Sequence, residues 1–257
     1  MGECWITGDI HGDPNRLSNV HFPEQKEFEG GQDENFVIIC GDFGLVWHYA
    51  GENKNERYWL NWLEERPFTT LFVDGNHENH KRLAEYPIEE WHGGKVHKIR
   101  PHVIHLMRGE VYEILGKRFF TFGGASSHDI KDGILDIDDP DYKDKKKELD
   151  KNPFSLYRVR NVSWWDAELP SEEEMENGRF NLEKHDWKVD FVITHSPSAS
   201  VIALLGGGLY EQDILTKYLE EIRIKLNYKR HFAGHMHVNR AVNTQDLIIY
   251  EQIIRIA

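Results

Sequence analysis

Five short segments of this sequence carry acidic, amide and imidazole side chains that can bind metal ions. They are Gly8-Asp9-Ile10-His11-Gly12, Gly41-Asp42, Gly75-Asn76-His77-Glu78, Thr194-His195-Ser196-Pro197 and Gly234-His235-Met236-His237. Residues two apart in extended backbone point to the same side, so Asp9 and His11 can reach one ion, as can His235 and His237. Such a mixture of nitrogen and oxygen ligands suits Mn, Fe, Zn or Co better than Ca or Mg. The segments therefore predict a metal site of borderline character.

Each segment also has a purely structural interpretation when it is taken alone. An Asp after a strand more often forms a turn or a cap, and Asp42 fits an Asx turn. A lone His is usually a hydrogen-bonded structural residue, and among 15 His some coincidence is expected. The five segments together are harder to explain in this way, because α/β sheets place ligand sites at the carboxyl ends of their strands. We expect the five strand ends to converge on one sheet edge.

The apolar runs before the first four segments are short and mostly continuous, which is typical of strands buried on both faces. They are Cys4–Thr7, Phe36–Cys40, Leu71–Val73 and Phe191–Thr194. Between the second and third runs, the pattern of Arg57–Glu65 predicts an amphipathic helix. The first part of the chain is thus expected to follow a strand, helix, strand order.

The rest of the pattern predicts more strands and two helices. The strands are Val103–Leu106, Val111–Leu115, Arg118–Phe122, His231–Ala233, Arg240–Val242, Leu247–Tyr250 and Ile253–Ile256, and one helix covers Tyr210–Leu226. The turn Leu115-Gly116-Lys117 predicts a hairpin, which makes the sheet antiparallel or mixed there. Ser171 and Glu174 predict a capping box at the start of a short acidic helix. Helices covering a two-layer sheet sandwich account for this order.

Length and composition predict one globular domain. The 257 residues suffice for a single core, and 39% of them are hydrophobic, with eight Trp among them. The stretch from 129 to 152 is rich in Asp and Lys, and we expect an exposed charged insertion there rather than a linker between domains. Residues 1–257 are therefore assigned to one domain.

The net charge of −13 disfavours an extended surface for nucleic-acid phosphates or anionic lipids, since both need clustered Lys and Arg. Bound metal ions can still attract a small phosphate. Cys4 and Cys40 lie within apolar runs, which predicts buried free thiols and favours a reducing compartment. The first residues show no signal-peptide pattern, and no run reaches membrane-spanning length. We expect a cytoplasmic protein without a membrane partner.

In this order, the five segments resemble the motifs of the calcineurin-like metallophosphoesterase family. They extend from residue 9 to residue 237, which is nearly the whole chain. The resemblance implies an α/β fold, namely a four-layer α/β/β/α sandwich of two mixed sheets flanked by helices. It also implies an enzyme with two divalent ions that hydrolyses a phosphomonoester or phosphodiester by attack of metal-bound hydroxide.

The same resemblance implies a role for each of eight residues. The ligands are Asp9, His11 and His237 for the first metal, Asn76, His195 and His235 for the second, and Asp42 as the bridge between them. Two ions about 3.5–4 Å apart can activate a water and hold phosphoryl oxygens, and we favour Mn. His77 is left to act as proton donor to the leaving oxygen or as hydrogen-bond partner of the phosphate. The structural alternative is a hydrogen bond to Asp42 or Asp13 alone.

The sequence departs from the protein Ser/Thr phosphatase branch of that family, which has an arginine shortly after the second-motif aspartate and another before the third motif. The corresponding stretches, 42–46 and 72–75, contain no arginine, so protein phosphatase activity is disfavoured. The remaining candidates for substrate contact are Arg158, Arg160, Trp164, Trp165 and the segment His80-Lys81-Arg82. Tandem Trp more often packs in a core, and basic residues after a motif more often form a solvated helix face.

Three functions stay open at this point. The first is a metal-dependent phosphoesterase acting on a small phosphorylated or nucleotide-like substrate. The second is a nuclease or nucleotide phosphodiesterase of the same family, which the acidic composition makes less suited to long nucleic acids. The third is a non-catalytic binding module stabilised by its metals, although structural metal sites usually close their coordination shell.

Overall fold

The computed structural model describes residues 2–206 and 211–257. The strands of this part are β1 (Cys4–Thr7), β2 (Phe36–Ile39), β3 (Thr69–Phe72), β4 (Ile88–Trp91), β5 (Gly94–Arg100), β6 (Val103–Leu106), β7 (Glu110–Ile114), β8 (Lys117–Phe122), β9 (Gly133–Leu135), β10 (Tyr157–Val159), β11 (Phe191–Thr194), β12 (Arg230–Ala233), β13 (Arg240–Ala241), β14 (Asp246–Ile248) and β15 (Ile254–Arg255). The α-helices are α1 (Lys54–Glu64), α2 (His80–Leu83), α3 (Tyr142–Leu149), α4 (Glu172–Lys184), α5 (Ala199–Gly206) and α6 (Ile214–Lys225), and short 3₁₀ helices cover Pro14–Leu17, Pro23–Glu27 and Asp166–Glu168.

The strands form two large mixed sheets and one small one. The first sheet has the order β15-β1-β2-β3-β6-β5-β4, and the second has the order β13-β14-β12-β11-β8-β7. Strands β1, β2, β3 and β6 run parallel, as do β8, β11, β12 and β14, while the outer pairings β1–β15, β5–β6, β4–β5, β7–β8 and β13–β14 are antiparallel. The small sheet pairs β9 with β10. The α/β fold with two mixed sheets is therefore confirmed.

The two large sheets pack face to face and each carries helices on its outer face. The core between the sheets contains Ile38 from the first sheet and Ile193 from the second. Residues one position along, such as Val37, point the other way and pack with Leu60 of α1. On the far side, Val192 packs with Leu219 of α6. The central strands are continuously apolar in sequence because both of their faces are buried. The two sheets and the helices on their outer faces together make four layers.

The predicted elements agree closely with the observed ones at the centre of both sheets. The bounds of β1, β6 and β11 are those predicted, and the hairpin joins β7 to β8 through Leu115 and Gly116, both in left-handed conformation. The Ser171–Glu174 capping box opens α4 as expected. The predicted helix Tyr210–Leu226 corresponds to α6, which begins at Ile214, and Tyr210 lies outside the described residues.

Some expectations of the sequence were wrong. The helix predicted to begin at Arg57 begins at Lys54, because Asn53 and Glu56 form a capping box. Strand β4 at the edge of the first sheet and its neighbour β5 were missed. The residues of β4 are mostly exposed, and Lys95, His97, Lys98 and Arg100 interrupt the apolar residues of β5. The strand at Val103–Leu106 and the hairpin that follows belong to different sheets, with the crossover between Leu106 and Glu110.

The charged stretch from 129 to 152 is largely exposed, as expected, although it holds β9 and the helix α3, which has no buried residue. Cys4 and Cys40 are both buried and free. No helix within residues 2–206 and 211–257 is both long enough and apolar enough to cross a bilayer.

Candidate metal centre

The five segments meet at the carboxyl ends of strands from both large sheets. The first three follow β1, β2 and β3, and the last two follow β11 and β12. The expectation of a single sheet edge was therefore wrong. Packing of one sheet on the other brings the two edges together, as shown by the hydrogen bond of 2.8 Å from His195 Nδ1 to the Cys40 carbonyl oxygen.

One donor group lies on the side of the first motif. Asp9, His11, Asp42 and His237 each offer a ligand atom, and these atoms lie within 4.8 Å of one another. The Nε2 atoms of His11 and His237 are 3.0 Å apart, and His237 Nε2 is 3.2 Å from Asp9 Oδ2. Ligand atoms at about 2.1 Å from one ion are roughly 3 Å apart, so these separations match a shared ion.

A second donor group shares Asp42 with the first. Asp42, His195 and His235 also offer ligand atoms within 4.8 Å of one another. His195 Nε2 lies 3.3 Å from Asp42 Oδ1 and 3.3 Å from Asn76 Oδ1. The structure thus brings all seven residues expected as ligands to one place, with Asp42 between the two groups.

The ring nitrogens of His195 are assigned by its surroundings. A carbonyl oxygen can only accept, so Nδ1 of His195 must carry the proton in its bond to Cys40. In the neutral ring, Nε2 then keeps a lone pair that faces Asp42 and Asn76. A ring fixed in this way by a backbone carbonyl is the usual arrangement of a metal-binding histidine.

The backbone is in an unusual conformation at four of the seven residues. His11, Asp42, His235 and His237 have φ values of 46°, 43°, 66° and 48°. Non-glycine residues rarely adopt this left-handed region, and such positions tend to cluster at functional sites. The turns that follow the strands therefore orient these side chains at some conformational cost.

Two glycines allow the motif loops to come this close. A Cβ on Gly75 would lie 2.2 Å from Asp42 Oδ1, and one on Gly41 would lie 2.3 Å from His195 Nδ1. Glu78 joins the same loops from behind, because its buried carboxylate accepts from the backbone N–H groups of Gly44 (2.9 Å) and Gly75. The residue type of Glu78 is compatible with a metal ligand, but the structure shows its carboxylate as a support of the loops.

The charges of the two donor groups fit a cation. Asp9 and Asp42 are only 0% and 2% exposed, and an unpaired buried carboxylate is strongly unfavourable. Burial lowers the pKa of His195, but the neighbouring Asp42 and Asp9 carboxylates outweigh this and raise it to about 10. The site therefore attracts positive charge, which divalent ions bound to these same side chains would supply.

His77 lies next to this centre, in contact with four other side chains. Its ring is stacked on Trp47 at 5.2 Å between centroids and meets His11 edge-on at 4.8 Å. Its backbone N–H donates to Asp42 Oδ1 at 2.8 Å, and Nη2 of Arg158 lies 3.0 Å from its Nε2. Burial lowers the pKa of His77 to about 4. The Asp42 carboxylate raises this pKa and the Arg158 guanidinium lowers it, but burial is the largest effect.

The structure adds His128, which the sequence did not single out. Its Nε2 lies 2.9 Å from Nε2 of His235, and the two rings are 4.8 Å apart. His128 is exposed and follows Ser126 and Ser127 after β8. Gly123 and Gly124 directly follow β8 and Asp129 follows His128, so the signal was available in the residue types, although His128 stands six positions after the end of the strand.

The candidates for substrate contact have mostly structural partners. Trp165 is buried edge-on against Trp47, and Arg160 covers Trp164 while it pairs with Asp166. Arg82 is buried and ion-paired with Glu56 at 3.0 Å, so the expectation of a solvated helix face was wrong for it. His80 is also largely buried, 3.7 Å from Asp74, and only Lys81 of that segment is exposed.

Two cavities open beside the donor groups. The first, of about 610 Å³, is lined by Asp9 and His11 together with Arg16 and Tyr250. The second, of about 710 Å³, is lined by His235 and by residues such as His128 and Ser127. Each cavity therefore borders a different donor group.

Comparison with known proteins assigns a family to this arrangement. The family model for calcineurin-like phosphoesterases matches residues 4–239. The chain belongs to this family. It is also 25% identical over 171 residues to a lariat debranching enzyme of Danio rerio, covering 61% of this chain and 27% of that protein. The corresponding enzyme of Schizosaccharomyces pombe is 23% identical over 252 residues, covering 90% of this chain and 47% of that protein.

The chain spans less than half the length of these relatives. Membership of the family and the two donor groups support a hydrolase that acts on phosphoester bonds and could hold metal ions.

Proposed function

We propose that this protein is a two-metal phosphodiesterase that cleaves a small, nucleotide-like diester. The observation that carries the proposal is the pair of donor groups that share Asp42, each at the border of its own cavity. A phosphate held between the groups would have one cavity on either side. A diester has an organic group on both sides of the phosphorus, whereas a monoester would leave one cavity empty.

The residues that would hold the metals divide as the family resemblance implies. Asp9, His11 and His237 would bind one ion, Asn76, His195 and His235 the other, and Asp42 both. Nitrogen and oxygen ligands in this ratio fit Mn, Fe, Zn or Co, and we propose Mn. When bound, such ions supply Lewis-acid activation of water and stabilise the charge on phosphoryl oxygens.

The other side chains of the site would bind and orient the ester. His77 lies beside the shared Asp42 and would contact the phosphoryl group or the leaving oxygen. His128 would do so from the side of the second cavity, since it touches His235. The net charge of −13 supports a short substrate rather than a long nucleic acid, and the cytoplasm remains the expected location.

Hydrolysis of two model esters tests this proposal. Mn-loaded protein should cleave bis-p-nitrophenyl phosphate with a kcat/KM at least about tenfold above that for p-nitrophenyl phosphate. A preference for the monoester would refute the diester assignment. Absence of turnover with both esters in the metal-loaded protein would instead favour a binding module.

A further inference from the structure

Arg158 is the buried cation next to His77, and its placement follows from the small sheet. It lies at the middle of β10, which pairs with β9 of the charged insertion. Arg158 is 6% exposed. A guanidinium in such a position needs specific partners, because an unpaired buried charge is strongly unfavourable.

The partners of Arg158 occupy most of its guanidinium. Nη1 donates to the backbone oxygens of Asn76 at 3.3 Å and Ser163 at 3.1 Å. Nε lies 2.6 Å from a carboxylate oxygen of Asp129, and Nη1 lies 3.6 Å from the buried Glu168. The side chain is therefore held in one orientation and is poorly placed to reach a phosphate itself.

The remaining contact of the Arg158 guanidinium determines which ring nitrogen of His77 carries the proton. Nη2 of Arg158 lies 3.0 Å from Nε2 of His77. Arginine keeps its protons in proteins and offers no acceptor, so Nε2 of His77 must be the acceptor. In the neutral ring the proton then lies on Nδ1, which has no hydrogen-bond partner among the described residues.

The orientation of the ring is fixed on other sides as well. The Trp47 indole is stacked on His77 with 22° between the planes, and His11 meets it at 84°. The backbone N–H of His77 is bound to Asp42, the residue shared by both donor groups. The ring thus has a fixed plane, an occupied Nε2 and an unpartnered Nδ1.

We propose that Arg158 is a positioning residue that holds His77 in its Nδ1–H tautomer, so that the ring offers an N–H donor to a phosphoryl oxygen. This inference rests on the proposed function, because it assumes that a phosphoester binds beside Asp42. Glu168 belongs to the same support, since it also accepts from the backbone N–H of Ser127 at 3.1 Å. Arg158 acts only through His77.

Nitrogen NMR of histidine-labelled protein tests the tautomer directly. The sample is the intact chain loaded with diamagnetic Zn, and the His77 signals are identified by their loss in His77→Gln. We expect Nδ1 protonated and Nε2 unprotonated in the wild type, and a mixed or reversed tautomer in Arg158→Met. A wild-type ring protonated at Nε2 would overturn the proposal, even if the variant failed to fold. An unchanged tautomer in Arg158→Met would overturn it equally.

Kinetics on the Mn-loaded protein provides a second readout. For a positioning role we expect kcat for bis-p-nitrophenyl phosphate to fall about 10- to 100-fold in Arg158→Met with KM nearly unchanged. The matched control is Arg160→Met, two residues along and paired with Asp136 and Asp166, which should stay within about twofold. A raised KM with unchanged kcat would overturn the proposal in favour of direct substrate contact. If the wild type cleaves no diester, the proposed function fails, while the NMR result still decides the tautomer.

Discussion

Replacement of Glu56 by Gln should destabilise the protein strongly although the two side chains have nearly the same shape. Glu56 is 2% exposed, and only donors surround its carboxylate. Oε1 accepts from the backbone N–H groups of Trp47 at 2.7 Å and His48 at 2.8 Å, and Oε2 accepts from that of Asn53 at 2.9 Å. Arg82 Nη1 donates to both oxygens, at 3.0 and 3.1 Å.

The magnitude follows from what glutamine cannot do at this position. Its amide group would point N–H at another N–H donor, and the buried Arg82 would lose its counter-charge. Removing one partner of a buried ion pair costs about 3–5 kcal/mol, which is a large share of the roughly 5–15 kcal/mol that holds a typical protein folded. With m near 3 kcal/mol/M, the urea midpoint should fall by about 1–1.7 M.

Urea unfolding of Glu56→Gln, with excess chelator in both samples so that metal release does not enter, measures this change. Glu65→Gln, at the exposed end of the same helix, is the matched control and should change the free energy of unfolding by less than about 0.5 kcal/mol. Because Trp47 stacks on His77, Glu56→Gln should also lower kcat. A loss of less than about 1 kcal/mol would refute the view that this carboxylate holds the loop.

Three further outcomes are expected. His77→Ala should lower the steady-state rate of hydrolysis by similar factors for esters of good and poor leaving groups. The reason is that Arg158 donates to Nε2, so the ring cannot become doubly protonated and act as a proton donor to the leaving oxygen. A larger loss with poor leaving groups would indicate proton donation. Gly75→Ala should lower kcat about 100-fold by displacing Asp42, whereas Gly31→Ala, with open space around it, should not. Mn at about 100 times its Kd should stabilise chelator-treated protein by about 2.7 kcal/mol for each bound ion in urea unfolding, and no change would contradict a metal site.

The sheets were largely predictable because their central strands are buried on both faces. Runs such as Phe36–Cys40 need no alternation, so the sequence signal is strong and local. Edge strands such as β4 have mostly exposed residues and leave no comparable signal. The start of α1 was also available, since Asn53 and Glu56 have the spacing of a capping box.

The site was predictable in its donors and not in their supports. Asp9, Asp42 and the histidines occur in compact motifs, and carboxylate and imidazole groups so close in sequence indicate metal binding. The bond between Arg158 and His77 joins residues 81 positions apart, and no local pattern encodes it. Burial of Arg82 was hidden for the same reason, because its partner Glu56 is 26 positions away.

Metal content measured together with turnover tests the central claim, that Asp42 joins two metal sites in one centre. The wild type should bind two Mn per chain and hydrolyse bis-p-nitrophenyl phosphate. Asp42→Asn keeps an acceptor oxygen for the His77 N–H but removes the shared charge, so it should bind at most one Mn and show only background turnover. Two Mn per chain with full activity in Asp42→Asn, or full activity of the wild type after chelation, would contradict the account.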